Sequence, residues 1–373
     1  MELLVIGNGF DLAHGLQTKY SDFTCFLQCI KSKEEVTPDH SWRDKVSQLC
    51  TEFKSDIFIE FQKAYFEMPL NPQPLAEKCL EIFQDAISKN NIWIQLLCMY
   101  DTATTKELWV DCEKMIADVI TILENRDMSL DHPSVSVNLK TIMGIDKNID
   151  VLIQPKKLIQ DLNQLKTLFD LYLQWILEYR IGPIQPIQWI ANKHFTHILN
   201  FNYTHIYRDY YPSDTPTKQS FIHGEIRNDL DSSVNFVLGI HDALTEPLCN
   251  TKLEYAQFKK YFQRILCETG AEYQEWFSAV DERNNLQGGR PSNREPKNTT
   301  IFGHSLDVTD KDILEDVIRQ SDKTTIYYHD PEDHELESLN TYILNLIQIL
   351  GKRDLLTFTN SGRIIFKPTS SMS

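Results

Sequence analysis

The chain opens on a short apolar run that ends at a glycine turn: Leu3-Leu4-Val5-Ile6, then at once Gly7-Asn8-Gly9. Leu12 and Leu16 follow four residues apart, the spacing of one helix face. A strand, a glycine turn and a helix in immediate succession is how parallel α/β sheets begin, because the helix must pack back over the strand before it. A strand of such a sheet that is buried on both faces reads as a continuous apolar run. Residues 2–6 are therefore expected to be a buried strand of an α/β, Rossmann-like fold.

The chain then changes character. Trp42, Val46, Leu49, Phe53, Ile57 and Phe61 recur every three or four residues, as do Trp109, Cys112, Ile116, Val119 and Leu123, and later Leu158, Leu162, Leu165, Phe169, Tyr172 and Ile176. That periodicity predicts amphipathic helices from about 31 to 190. Strand signals return at 196–201, 219–223, 299–302 and 324–328. At 373 residues, and roughly 150 per domain, two domains or one domain with a large insertion are expected. The arrangement that fits both patterns is a largely parallel sheet domain of residues 1–30 plus 190–373, nucleotide-binding in layout, with an all-helical insertion at 31–189. Two further expectations are local. Val234, Phe236, Leu238 and Ile240 alternate like a half-exposed strand, and Leu355–Phe358 and Arg363–Phe366, joined by Asn360-Ser361-Gly362, read as a closing hairpin.

Charge narrows the partners. With 37 basic and 53 acidic residues the net charge is −16, which argues against nonspecific binding to nucleic acid or to an anionic membrane. The eight cysteines form no Cys-x-x-Cys pair, so neither a zinc site nor a disulfide framework is expected; reduced thiols in a cytoplasmic protein fit better. The opening apolar run is too short for a membrane span or signal peptide.

Several segments could carry chemistry. The turn at Gly7 and Gly9 could let backbone N–H groups approach a phosphate, or could be a tight strand–helix turn capped by Asp11. The dinucleotide fingerprint lacks its third glycine, where Leu12 stands. Asn200-Phe201-Asn202-Tyr203-Thr204 leaves a strand end, where an amide can position water or a ribose hydroxyl, or bond its own turn. His223-Gly224 follows the next strand, and an imidazole there is a candidate general base. Gly303-His304-Ser305-Leu306-Asp307 is a second glycine turn, with Asp307 or Asp310 placed to cap a helix and Asp310 the expected cap. Asp111 and Glu113 diverge by about 200° on a helix and suit a first turn better than one ligand. His194 and His197 have no nearby acid or cysteine to complete a metal set.

These motifs resemble, in order and across nearly the whole chain, the AbiH family of bacterial phage abortive-infection proteins. The likeness rests on Ile6–Leu16 with Thr18, Tyr20 and Phe23, on Trp109-x-Asp111-x-Glu113, on Asn200–Thr204, on Ile222-His223-Gly224 and on Phe302–Leu306. The order of glycine turn, strand-end Asn, His-Gly and Gly-x-Ser-Leu is also similar to sirtuin-like NAD-consuming domains. That similarity implies catalysis by Asn202 and His223. It also implies NAD, as substrate or ligand, held by Gly7, Asn8, Gly9, Phe10 and Asp11 with Gly303, His304 and Ser305, and no metal. Asn8 and Asp11 depart from the sirtuin turn, Thr204 stands where that pattern has Asp, and the zinc cysteines of deacetylating sirtuins are absent. The resemblances together imply a defence protein that hydrolyses NAD to arrest infected cells, with a phage-derived trigger. A metal-dependent nuclease using Asp11, Asp111, Glu113 and Asp307, a non-catalytic nucleotide sensor, or a protein-interaction module stay open as alternatives.

Overall fold

A computed structural model describes residues 1–24, 26–27, 82, 85–86, 89–99, 112–125, 154–179, 183–212, 216–227, 233–240, 253–286, 295–329 and 335–372. The helices expected across Trp42–Phe61, and Trp109 and Asp111, lie outside these residues.

The parallel sheet is present. Its strands are β1 (Glu2–Ile6), β2 (His197–Asn200), β3 (Lys218–Phe221), β4 (Asn298–Phe302), β5 (Lys323–Tyr328) and β6 (Ile364–Pro368), in the order β3-β2-β1-β4-β5-β6. Every neighbouring pair is parallel. Successive strands are added outward from β1 on one side and then, from β4, on the other. The order therefore reverses between β1 and β4, and in α/β sheets ligands bind outside the strand ends at such a reversal. Register fixes what meets there. Ile6 lies opposite both Asn200 and Phe302, and Asn200 lies opposite Phe221, so the segments after β1, β2, β3 and β4 leave the sheet at one level.

β1 is buried on both faces, as its unbroken apolar run predicts. Leu3 and Val5 join Leu199, Ile301, Ile326 and Ile364 in one core. Three helices close that core: Glu272–Leu286 with Trp276 and Phe277, Lys311–Gln320 with Leu314 and Val317, and Glu335–Leu350 with Leu346 and Ile349. Each such side chain contributes roughly 1.5–3 kcal/mol by leaving water.

Two local expectations are corrected. Leu355–Phe358 is helical, within Lys352–Asn360, and β6 pairs in parallel with β5, so no closing hairpin forms. The Asn-Ser-Gly sequence is instead a helix stop. Arg363 N donates to Phe358 O and Gly362 N to Thr359 O, with Gly362 at φ +71°, the left-handed cap that glycine adopts without steric cost. The same three residues serve a hairpin or a cap, and the parallel pairing of β6 with β5 decides for the cap. Phe236, Val237, Leu238 and Ile240 are all buried rather than alternating, and Ile240 makes only an isolated bridge with Lys259.

The chain divides into two compact units, one of residues 1–15, 183–225 and 264–373, and one of residues 16–182 and 226–263. The first holds the sheet. The second contains helices Ile92–Met99, Cys112–Asn125 and Pro155–Tyr179. Within it Asn91 Oδ1 accepts from Trp93 N and Ile94 N and so caps its helix, while the Trp93 indole donates to Leu158 O. Phe23, Phe26, Phe169 and Tyr172 pack ring against ring, and Arg227 pairs with the buried Asp170 at 2.6 Å. Among the described residues no helix is long and apolar enough to cross a membrane.

Candidate active site

The two glycine turns are packed against each other. Gly9 N donates to Gly303 O at 2.7 Å. A Cβ on Gly7 would sit 2.8 Å from His304 Cα, and one on Gly9 would sit 2.7 Å from Gly303 Cα. Gly303 has φ +70°, and a Cβ there would meet Phe10 N at 2.2 Å. The glycines let the loops after β1 and β4 touch across the reversal of strand order. On the side facing β4, the room a diphosphate cradle would offer is filled by this chain's own backbone.

Beneath the turn lies a buried polar knot. Asn202 Nδ2 donates to Gly7 O and to Asp11 Oδ1, both at 3.0 Å, and Thr204 Oγ1 donates to Asp11 Oδ2 at 2.6 Å. Asn200 Oδ1 accepts from Asn202 N at 2.8 Å, and Asn200 Nδ2 donates to Thr204 O. Asp11 thus does not cap the turn through its side chain; it receives the two residues of the Asn-Tyr-Thr segment. Burial pushes its carboxyl from 3.8 up to about 7, against the lowering effect of the Thr204 and Asn202 hydrogen bonds.

Because the folded value lies above the unfolded one, the folded state holds the extra proton between about pH 4 and pH 7. The contribution of Asp11 is complete below that window and is lost as pH rises through it. Asp11→Asn, which keeps the shape and removes the titration, is expected to flatten the fall in urea midpoint between pH 4.5 and 7.5. Equal slopes in the two proteins would contradict the assignment.

The histidines converge on one carboxylate. His223 Nε2 lies 3.1 Å from Asp310 Oδ1, and His304 Nε2 lies 3.6 Å from Asp310 Oδ2, with all three residues buried. Leu306 N donates to His304 Nδ1 at 2.9 Å, which places the proton of the neutral His304 ring on Nε2, facing Asp310. The Phe201 ring stands edge-on to both imidazoles, with centroids 4.3 Å from His304 and 5.6 Å from His223. Asp310 is not the expected cap: its side chain makes no capping bond to helix Lys311–Gln320. Asp307 caps the 3₁₀ turn Val308–Asp310 just before that helix, accepting from Thr309 N at 2.9 Å.

The structure thus brings Gly7, Gly9, Asp11, Asn202 and Gly303 into direct contact, and links His223 to His304 through Asp310. Phe10 is buried against Phe302, Tyr207 and Tyr211. Asn8 is half-buried on the first turn of its helix. Ser305 is exposed, and its carbonyl accepts from Asn345 Nδ2. His14 joins a chain in which Ile187 N donates to the Tyr211 hydroxyl, 2.7 Å from His14 Nε2, while His14 Nδ1 lies 2.6 Å from Phe10 O; burial holds His14 below its ordinary value. Glu113, in the second unit, pairs with Lys260 Nζ at 2.9 Å. Sequence reasoning missed the partnerships of Asp310 and Thr204. A buried acid six residues past His304, at the start of a helix, looks like a helix cap, and only the fold brings His223 to it.

The family model described as "Bacteriophage abortive infection AbiH" matches residues 3–329. No curated protein and no solved structure matches the chain.

Proposed function

The chain belongs to the AbiH family of bacteriophage abortive infection, and from that premise we propose that it arrests infected cells by binding NAD and hydrolysing its nicotinamide–ribose bond. The observation that carries this reading is the position of Asn202 and His223. They stand on segments leaving β2 and β3 at the level of the glycine turn, beside the reversal of strand order where α/β sheets hold nucleotides. The donor set suits the sugar of a nucleotide better than its diphosphate, since the β4 side of the glycine turn is filled by Gly303 and His304.

The chemistry asked of these residues is modest. The glycosidic bond breaks with its electron pair passing to the nicotinamide nitrogen, which loses its positive charge. Water adds to the ribose C1′, giving ADP-ribose, and its proton goes to the His223 imidazole. The Asn202 amide is oriented by its two donated bonds, so its oxygen is the atom that accepts from the water or a ribose hydroxyl. Burial of both side chains suits a resting protein that waits for a phage-derived trigger.

The nuclease alternative is weakened by where its carboxylates are engaged: Asp11 with Asn202 and Thr204, Asp307 with Thr309 N, and Glu113 with Lys260. The test is to mix purified protein with NAD and an extract of phage-infected cells, with and without a chelator, and to quantify nicotinamide by mass spectrometry. Nicotinamide release that survives chelation is expected. NAD left intact while RNA or DNA is degraded only in magnesium would hand the function to the acidic residues, and NAD retained without turnover would make the protein a sensor.

A further inference from the structure

The Asp310 carboxylate has a role no motif assigns. It lies at the start of helix Lys311–Gln320, where a capping bond is ordinarily made, yet it is buried and turned to two imidazoles instead. A buried carboxylate is costly unless hydrogen-bonded or paired, so its partners determine how it is retained. On the His304 side the arrangement is fixed, because the Leu306 amide occupies Nδ1 and directs Nε2–H toward Asp310. On the His223 side, Nε2 at 3.1 Å can approach the carboxylate only as a donor, since a bare ring nitrogen there would face a negative oxygen.

We infer that Asp310 is a positioning residue for His223, holding the imidazole as its Nε2–H tautomer so that Nδ1 is the nitrogen that accepts a proton. This rests on the reading of His223 as the base for NAD hydrolysis and specifies how that base is made ready. A carboxylate behind a general base fixes ring orientation and stabilises the imidazolium formed when the proton is taken. His304 Nε2 faces the other oxygen of the same carboxylate at 3.6 Å, while Phe201 sits against both rings. Titratable groups facing His223 include Asp310, His304 and Tyr203, whose ring centroid is 6.3 Å away.

The test uses the full chain with ¹⁵N-labelled histidine, the His223 signals being identified by their loss in His223→Gln. In the wild-type protein the neutral ring is expected to carry its proton on Nε2. In Asp310→Asn the His223 imidazole is expected to titrate at least about one pH unit lower, since an opposite charge at this distance commonly moves a pKa by one to three units. NAD turnover by Asp310→Asn is expected to fall about tenfold to a hundredfold in kcat with KM little changed, part of a general base's usual contribution. A neutral His223 protonated on Nδ1 in the wild-type protein overturns the inference, and that result needs no variant to fold. So does a His223 that titrates at the same pH with and without the Asp310 charge. If the tautomer and the shift are found but neither protein cleaves NAD, the His–Asp coupling stands and the proposed reaction is what fails.

Discussion

Gly303→Ala is expected to cost the sheet-containing unit about 2–5 kcal/mol of stability. Two independent costs combine. The residue has φ +70°, a left-handed conformation that costs a side chain roughly 1–2 kcal/mol. Its added methyl would also stand 2.2 Å from Phe10 N and 2.6 Å from Gly9 C, both backbone atoms that cannot swing aside. Overpacking of that kind typically costs a further 1–3 kcal/mol. Domains hold only about 5–15 kcal/mol in total, so the variant should unfold many degrees below the wild type, or fail to accumulate. Gly362→Ala is the matched control, since Gly362 shares the left-handed φ but has open space where the methyl would go. A Gly303→Ala protein that melts with the wild type would mean that the two glycine turns are not in contact.

The second large effect is on turnover. His223→Ala is expected to reduce NAD hydrolysis by at least about two orders of magnitude, the usual loss when a general base is removed, and to abolish growth arrest in infected cells. Because His223 is buried against Phe201 and Asp310, a loss of melting temperature must be measured beside the loss of rate. A variant that arrests cells and consumes NAD like the wild type would exclude the histidine from the chemistry. Asn202→Ala is expected to match the loss of rate but also to melt lower, since it removes the bonds to Gly7 O and Asp11.

The sheet was legible because its signals are local. An apolar run long enough for one strand, stopped by a glycine turn, defines β1, and the same reading finds β2 to β5. β6 and its helix were misread because Asn-Ser-Gly serves a hairpin and a helix cap equally, and only pairing with β5 separates them. At the site, sequence singled out the segments but not their wiring. Gly7, Gly9 and Gly303 were readable as turns, whereas their packing on one another depends on β1 and β4 being neighbours almost 300 residues apart. Asp11 could be read as a cap or a ligand, and its bonds to Asn202 and Thr204 require β2 beside β1. Asp310 was hidden for the same reason: its helix position offers a sufficient local role, and its partner His223 is distant in sequence.

The proposed route of abortive infection runs through NAD and His223. The most direct measurement is the NAD and nicotinamide content of phage-infected cells carrying either the wild-type protein or His223→Ala at equal abundance. NAD is expected to fall and nicotinamide to rise as growth stops in the wild type alone, with both unchanged in the variant. Growth arrest by the wild-type protein with NAD held at its uninfected level would contradict it.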